Sequence, residues 1–386
     1  MVLHGITWDH ARGYLPLIAV SKEYHRLHPD VQILWKKRSL KDFEDFPIEK
    51  LVDLYDFIMI DHPYMTEALE KKLLLPLNNL LHKECLQVHQ AQSVGPSYES
   101  YWSRGILQAL PVDAATQVAA YRPDRFSEEG CSVPTTFDGV LHLADQLGSH
   151  GYIGACMAPT HLFSTYMSLS AQQLGPEYFD PEAGIEEHAG AYAASCIYQL
   201  KSRAHPKSFE MDPIQTLDEM ASGSQIVYAP YVYGYVNYAL YGYSKHRIKF
   251  TNAPLLQKDA PASTQLGGVG ICITNRVKAD AVAIAVDFLE YLTSQEIQQT
   301  TYARNNGQPA LMSAWMDAKN NAQSLDFYSG TLQTMQKSVL RPKVARWNAF
   351  QEAASKQMFQ QVCDGTECSR IASSFNQLYR KIVITK

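Results

Sequence analysis

Short apolar runs alternate with helical periods along the first sixty residues. Gly5-Ile6-Thr7-Trp8 ends a first predicted strand. From Tyr14 to Leu27 the apolar positions Leu17, Val20, Tyr24 and Leu27 recur at three- and four-residue steps, the spacing of one helix face. Pro29-Asp30 breaks that helix, and Val31-Gln32-Ile33-Leu34-Trp35 reads as a second strand. Phe57-Ile58-Met59-Ile60, bounded by Asp56 and Asp61, reads as a third. This β-α-β-α-β start predicts parallel strands, because helical crossovers return the chain in the same direction.

The alternation continues. A strand-like run from Ile106 to Leu110 meets Pro111-Val112-Asp113, and Gln117 to Tyr121 alternates into Pro123, so a hinge is expected at 111–113. Thr135 and Thr136 stand at the start of a helix with Val140, Leu141, Ala144 and Leu147 on one face; threonine is a good N-cap. Asp212-Pro213 is a second helix start, followed by Ile214, Leu217 and Met220 and stopped at Gly223. Ile226-Val227-Tyr228 predicts a strand. Gly267-Gly268-Val269-Gly270 leads into another, Ile271-Cys272-Ile273, and its glycines are expected to permit a tight turn and a close backbone approach. A helix carrying Ala281, Ile284, Ala285, Phe288 and Leu292 follows, and Thr293 with Glu296 has capping-box spacing for one more. Gly307 to Pro309 is a break, and 314–386 reads as mostly helical. Strands alternating with helices make the fold class α/β.

Length turns this pattern into two domains, since 386 residues exceed one ordinary core. Apolar residues at 46% and charged residues at 19% fit a folded protein and argue against disorder. The formal charge of −5 is spread out with no long basic run, so no nucleic-acid partner is expected. No stretch approaches the roughly 20 apolar residues of a membrane span. Residues 1–20 carry Trp8, Asp9, His10 and Arg12 and lack the layout of a signal peptide. The chain is expected to work outside the cytoplasm if an export signal was removed, and inside it if the native chain starts at Met1. Seven cysteines cannot all pair within one chain; they read as mostly buried free thiols, with Cys363 and Cys368 near enough to pair across a short loop.

Two Asp-His pairs carry the candidate chemistry. Asp9-His10 follows the first strand and Asp61-His62 the third, which places both at the carboxyl ends of parallel strands, where open α/β sheets bind ligands. Trp8 adds a flat stacking face and Arg12 a forked cation. Asp9 and Asp61 also suit helix caps, and His62 before Pro63 suits a turn. The second feature is the crowd of Tyr228, Tyr231, Tyr233, Tyr235, Tyr238, Tyr241 and Tyr243, from which two or three are expected in a site. Arg346-Trp347 is a third candidate, with core packing and surface pairing also open. No HExxH, GxSxG, Walker or CxxC pattern is present, and no cofactor is expected. His10, Asp61, Tyr228 and Tyr231 form an alternative set of hard ligands for a ferric or similar ion. An enzyme using Asp9/His10 or Asp61/His62 as an acid–base pair is a further alternative.

The order of segments resembles a known family. It runs from the strand and helix of 5–27 through Tyr55-Asp56-Phe57-Ile58-Met59-Ile60-Asp61, Leu75-Pro76-Leu77 and Leu110-Pro111-Val112-Asp113. Tyr121-Arg122-Pro123-Asp124-Arg125-Phe126, Pro134-Thr135-Thr136-Phe137-Asp138 and the strand near Tyr228 come next. The most diagnostic part is Gly267-Gly268-Val269-Gly270-Ile271-Cys272-Ile273, then Phe288-Leu289-Glu290-Tyr291-Leu292-Thr293-Ser294 and Gly307-Gln308-Pro309. Arg341-Pro342 and a closing helix near Phe350 complete the set. It resembles the family 1 extracellular solute-binding proteins of ABC importers, many of them sugar binders. The resemblance implies a two-lobed, periplasmic-binding-protein-like fold of type II, each lobe a parallel-rich sheet flanked by helices. Lobe 1 would hold 1–110 and 266–312, lobe 2 would hold 113–262 and 315–386, with hinges near 111–113, 263–265 and 313–314. It implies a monomer that closes on a small polar ligand, a carbohydrate by family default, and hands it to a membrane permease. The ligand groups expected here are Trp8, Asp9, His10, Arg12, Asp61, His62, Tyr228, Tyr231, Tyr233, Gly267, Gly268 and Arg346. Two departures stand out: the family's leader and lipid-anchoring cysteine are not in the sequence, and the Asp-His rim is more ionic than a plain sugar site needs.

Overall fold

The strands and helices that matter for function fall in this order along the chain: β1 (Val2–Trp8), α1 (Ala11–Leu27), β2 (Gln32–Arg38), β3 (Phe57–Ile60), α2 (Lys83–Gln92), β4 (Leu110–Tyr121), α3 (Phe137–Leu147), β5 (Tyr152–Ile153), α4 (Pro159–Leu174), α5 (Glu187–Lys201), α6 (Pro213–Ser222), β6 (Ile226–Tyr233), β7 (Lys249–Thr251), β8 (Leu266–Ile273), α7 (Val282–Thr293), α8 (Phe327–Gln336), α9 (Trp347–Cys363) and α10 (Cys368–Tyr379). Short turns of helix and a small hairpin at 102–107 fill the rest. The structure is a computed structural model that describes residues 1–39 and 48–385, so Lys386, the end of the helical stretch read from the sequence, lies outside the described residues.

The chain divides into two compact units. Unit 1 holds Met1–Ala115 and Gly267–Ala322; unit 2 holds Thr116–Leu266 and Gln323–Lys386. The chain therefore crosses three times, after Ala115, Leu266 and Ala322. The third crossing lies beyond the expected 313–314. Trp315 Nε1 donates to Pro309 O, and Asn320 Nδ2 donates to Gln299 O and Ala314 O, which ties 315–320 to unit 1.

In unit 1 the sheet order is β2-β1-β3-β8. β1 runs parallel to β2 and β3, as the helical crossovers require, and β8 is antiparallel to β3. α1 buries Leu17, Val20 and Tyr24 against this sheet, each burial contributing about 1.5–3 kcal/mol, while the fourth position of its apolar series, Leu27, is exposed at the helix's last residue. Two glycines let aromatic rings lie flat on the backbone. A Cβ on Gly5 would stand 2.5 Å from the Trp35 ring, and one on Gly13 would stand 2.4 Å from the Trp8 ring.

Unit 2 departs from the parallel-rich expectation. β4 pairs antiparallel with β6 and with β7, while β5 and β6 pair in parallel. The reason is connectivity: β4 enters this unit as an extended crossing segment, so its partners need not run parallel to it. Pro111 to Asp113, expected as a hinge, lies inside this single strand, which leaves unit 1 after Ala115. Around the sheet, α4 is buried from His161 to Gln172. Phe163, Trp347, Phe350, Phe375 and Tyr379 stack about it with ring centroids 5.1–6.2 Å apart.

Several local predictions can be read directly. Thr136 caps α3 by accepting from Gly139 N, and Asp212 with Gln215 forms a full capping box on α6, which ends at Gly223 with φ 100°. The cap after α7 is Ser294, which accepts from Ile297 N, while Thr293 is the last residue of α7 and bonds back to Leu289 O. The Gly267 to Gly270 run lies within β8 instead of forming a turn before it. All seven cysteines are free thiols, Cys363 and Cys368 included.

Candidate functional site

In unit 1 the candidate groups gather where β1, β2 and β3 end. His10 is the N-cap of α1: its Nδ1 accepts from Arg12 N at 3.1 Å. That bond leaves the imidazole proton on Nε2. Burial, helped by the Arg12 charge and opposed by Asp9, pulls the His10 pKa down to about 4, so the ring is neutral at neutral pH. Asp9 is exposed and pairs with Lys37 Nζ at 2.7 Å. Asp61 caps the turn that follows β3, accepting from His62 N at 2.8 Å, and its Oδ1 lies 3.2 Å from His62 Nδ1. His62 is buried in that turn, as its position before Pro63 suggested.

Two expected ligand groups in this unit are committed to the fold. Trp8 is 3% exposed and belongs to the apolar cluster of unit 1, with its ring under Gly13. It therefore does not offer a stacking face. Arg12 is buried and holds Asp113 with a two-pronged ion pair: Nε donates to Oδ2 at 2.7 Å and Nη2 donates to Oδ1. Its charge is met inside the protein. Asp113 is fully buried, and desolvation raises its pKa against the pull of Arg12. The same short stretch of β4 is gripped twice more. Gln308 exchanges two bonds with the Ala114 backbone, and Gly268 lies over Asp113 O so closely that a Cβ there would be 2.4 Å away. Gly268 has φ 94°, which explains why this residue is glycine.

Unit 2 presents a different polar group, which sequence reasoning largely missed. Tyr233, half-buried at the end of β6, donates its hydroxyl to Gln265 Oε1 at 3.2 Å. The ring of His161, in the first turn of α4, meets the Tyr233 ring edge-on at 6.3 Å. Burial lowers the His161 pKa to about 4. Gln265 N donates to Ser168 Oγ at 2.9 Å, and Ser168 Oγ donates to Gln117 Oε1 at 2.5 Å. Gln117 Nε2 donates in turn to Thr165 Oγ1 at 3.1 Å. Thr116 and Thr264 hydroxyls meet at 2.7 Å beside them. The signal available in the sequence was Ser164, Thr165, Ser168 and Gln172 within a helix otherwise rich in core residues.

The other tyrosines divide between core and surface. Tyr228 and Tyr231 lie in the apolar cluster of unit 2, with the Tyr231 hydroxyl donating to Pro254 O at 3.1 Å. Burial pushes both phenols far up from their ordinary range, so without an ion they stay protonated. Tyr235 and Tyr238 are buried, and Tyr241 is 91% exposed. Among the described residues no group of three or more His, Cys, Asp and Glu side chains converges to hold a metal ion. Arg346 stands exposed before α9 and donates Nη1 to Ile382 O at 3.3 Å, while Trp347 beside it is core.

Solved structures share this architecture over the whole chain. A maltose-bound protein of T. maritima superposes with a TM-score of 0.83 at 16% identity, covering 99% of this chain and 100% of that one. A solute-binding protein of an ABC transporter from Thermotoga lettingae, bound to α-D-tagatose, gives 0.82 at 17% identity, covering 99% of each. One from Agrobacterium radiobacter, in complex with ribitol, gives 0.79 at 17% identity, covering 99% of this chain and 98% of that one. At these identities the likeness establishes the two-lobed fold. No curated protein matches the chain. Residues 50–315, more than half of the sequence, match the family described as bacterial extracellular solute-binding protein. The chain belongs to that family.

Proposed function

We propose that this chain is the solute-binding component of an ABC-type importer, that it works outside the cytoplasm, and that its ligand is a neutral polyhydroxy compound, a sugar or polyol. Family membership supports the role. The ligand class rests on one observation: the charged groups gathered at the strand ends of unit 1 are already engaged within the protein. Arg12 is spent on Asp113, Asp9 faces Lys37, and Asp61 caps its own turn. His10 and His161 titrate near pH 4 and are neutral at neutral pH. Among these unit 1 groups a carboxylate or phosphate would meet no uncommitted cation, whereas hydroxyls suit neutral donors and acceptors. The similar structures were solved with maltose, tagatose and ribitol, all neutral.

Residues of both units would hold the ligand, and the three crossings would let the units close on it. Binding would involve no turnover. A monomer that delivers its ligand to a membrane permease is the simplest form of this role. Calorimetry on ligand-stripped protein, with sugars, polyols, carboxylates and metal ions as probes, tests the reading. At least one sugar or polyol should bind, with an affinity that changes less than twofold between low and high salt, because no charge is neutralised. Binding only by carboxylates or metal ions would refute the ligand class.

A further inference from the structure

Gln265 is fully buried in the stretch leading into β8, and its side-chain amide is only half satisfied. Oε1 accepts from the Tyr233 hydroxyl at 3.2 Å, while Nε2 has no hydrogen-bond partner. Turning the amide over does not solve this. Tyr233 would then accept from Nε2, and Oε1 would be the end left unmet. The backbone on either side of the side chain is itself held within unit 2. Gln265 N is bonded to Ser168 Oγ at 2.9 Å and Gln265 O to Thr116 Oγ1 at 3.0 Å. Folded proteins rarely leave a buried amide donor orphaned, because its desolvation is not repaid until something binds it. The orphan sits beside Tyr233, the one tyrosine of β6 that reaches the surface, and Tyr233 touches His161.

We propose that the Gln265 side-chain amide, oriented by Tyr233 and left with one unmet hydrogen-bonding end, is a ligand-binding group of unit 2 that takes up a hydroxyl of the solute. This inference rests on reading the chain as a binder of neutral polyhydroxy solutes. It makes Gln265 a specificity residue: a ligand lacking the matching hydroxyl would leave the amide buried and unpaired, which sites of this kind penalise heavily.

The test uses the full chain and ribitol, D-mannitol, maltose and α-D-tagatose as probes, followed by monodeoxy analogues of whichever binds most tightly. Gln265→Met should weaken that probe by 10- to 100-fold while keeping the wild-type circular dichroism and urea midpoint. One deoxy analogue should bind wild type and Gln265→Met alike, because its missing hydroxyl is the one the amide meets. Tyr233→Phe, which keeps Gln265 in place but frees its orientation, should cost severalfold in the wild-type background and nothing in Gln265→Met. It also serves if Gln265→Met does not fold. The proposal falls if Gln265→Met binds the probe within twofold of wild type, leaving the amide to a resident water. It falls as well if every deoxy analogue loses the same factor in both proteins, the signature of a structural role. Failure of all four probes to bind wild type would instead strike at the solute class and take this inference with it.

Discussion

At the scale of single residues, the polar groups divide into those that hold the fold and those that remain for a ligand. Arg12 and Asp113 belong to the first kind. Removing one partner of a buried ion pair leaves the other charge stranded, so Arg12→Met should lower the unfolding free energy by about 3–5 kcal/mol in urea titrations. Arg12→Met combined with Asp113→Leu should recover most of that loss; a double variant as weak as the single would mean the pair is not the cause. Three histidines make a second prediction. His10, His89 and His161 are each pulled down from 6.5 to about 4, chiefly by burial, and neither ring nitrogen of His89 has a hydrogen-bond partner. In the unfolded chain they take a proton near pH 6.5, in the folded chain only near pH 4. The unfolded state thus binds more protons in that window, and stability falls as pH drops from 6.5 to 4, with no change from these groups above pH 7. The limiting loss is on the order of 3 kcal/mol for each fully buried ring. Urea midpoints at pH 7, 5.5 and 4.5 should step downward, and His89→Leu should flatten part of the slope. A flat profile in the wild type would contradict the burial of these rings.

At the scale of elements, most of the fold was legible, because strands and helices follow local rules. The β3 run of four apolar residues, the Thr136 cap and the Asp212 box depend on a few neighbouring positions. The gaps came where a distant partner decides the outcome. Pro111 to Asp113 reads as a hinge, and β4 runs straight through it as one strand that crosses between the units after Ala115. The glycines of 267–270 suggested a tight turn and a close backbone approach; they lie in a strand, and the close approach is there, with Asp113 O pressing on Gly268. Gly268→Ala should therefore cost at least about 2–3 kcal/mol, from its positive φ and the 2.4 Å approach, and lower the melting temperature by several degrees. An unchanged melting temperature would show that β4 and β8 yield easily. The candidate site was half legible. Asp9, His10 and Asp61 follow strands whose ends were visible in the sequence, whereas Gln265 meets Ser168, and Tyr233 meets His161, only through folding of segments many tens of residues apart. Trp8 and Arg12 misled because a residue suited to a ligand is equally suited to a core ring or a buried ion pair.

At the scale of the whole molecule, each unit has its own apolar core. Scanning calorimetry of the ligand-free protein should show two overlapping transitions. A solute that binds both units should merge them into one at higher temperature, by the general linkage of binding to stability. A ligand that raised only one transition would have its contacts on one unit and would count against the proposed mode of capture. The crossing pattern has a consequence for how the protein is made. β3 is completed by β8, with Ile60 beside Gly270, yet all of 116–266 is synthesised between them. On the ribosome, the edge of β3 stays unpaired until unit 2's long insert has emerged, and an open strand edge invites pairing with other chains. Nascent chains halted anywhere within 116–266 should therefore fail to give a folded first unit and should aggregate or recruit chaperones, even though every earlier residue of that unit is already present.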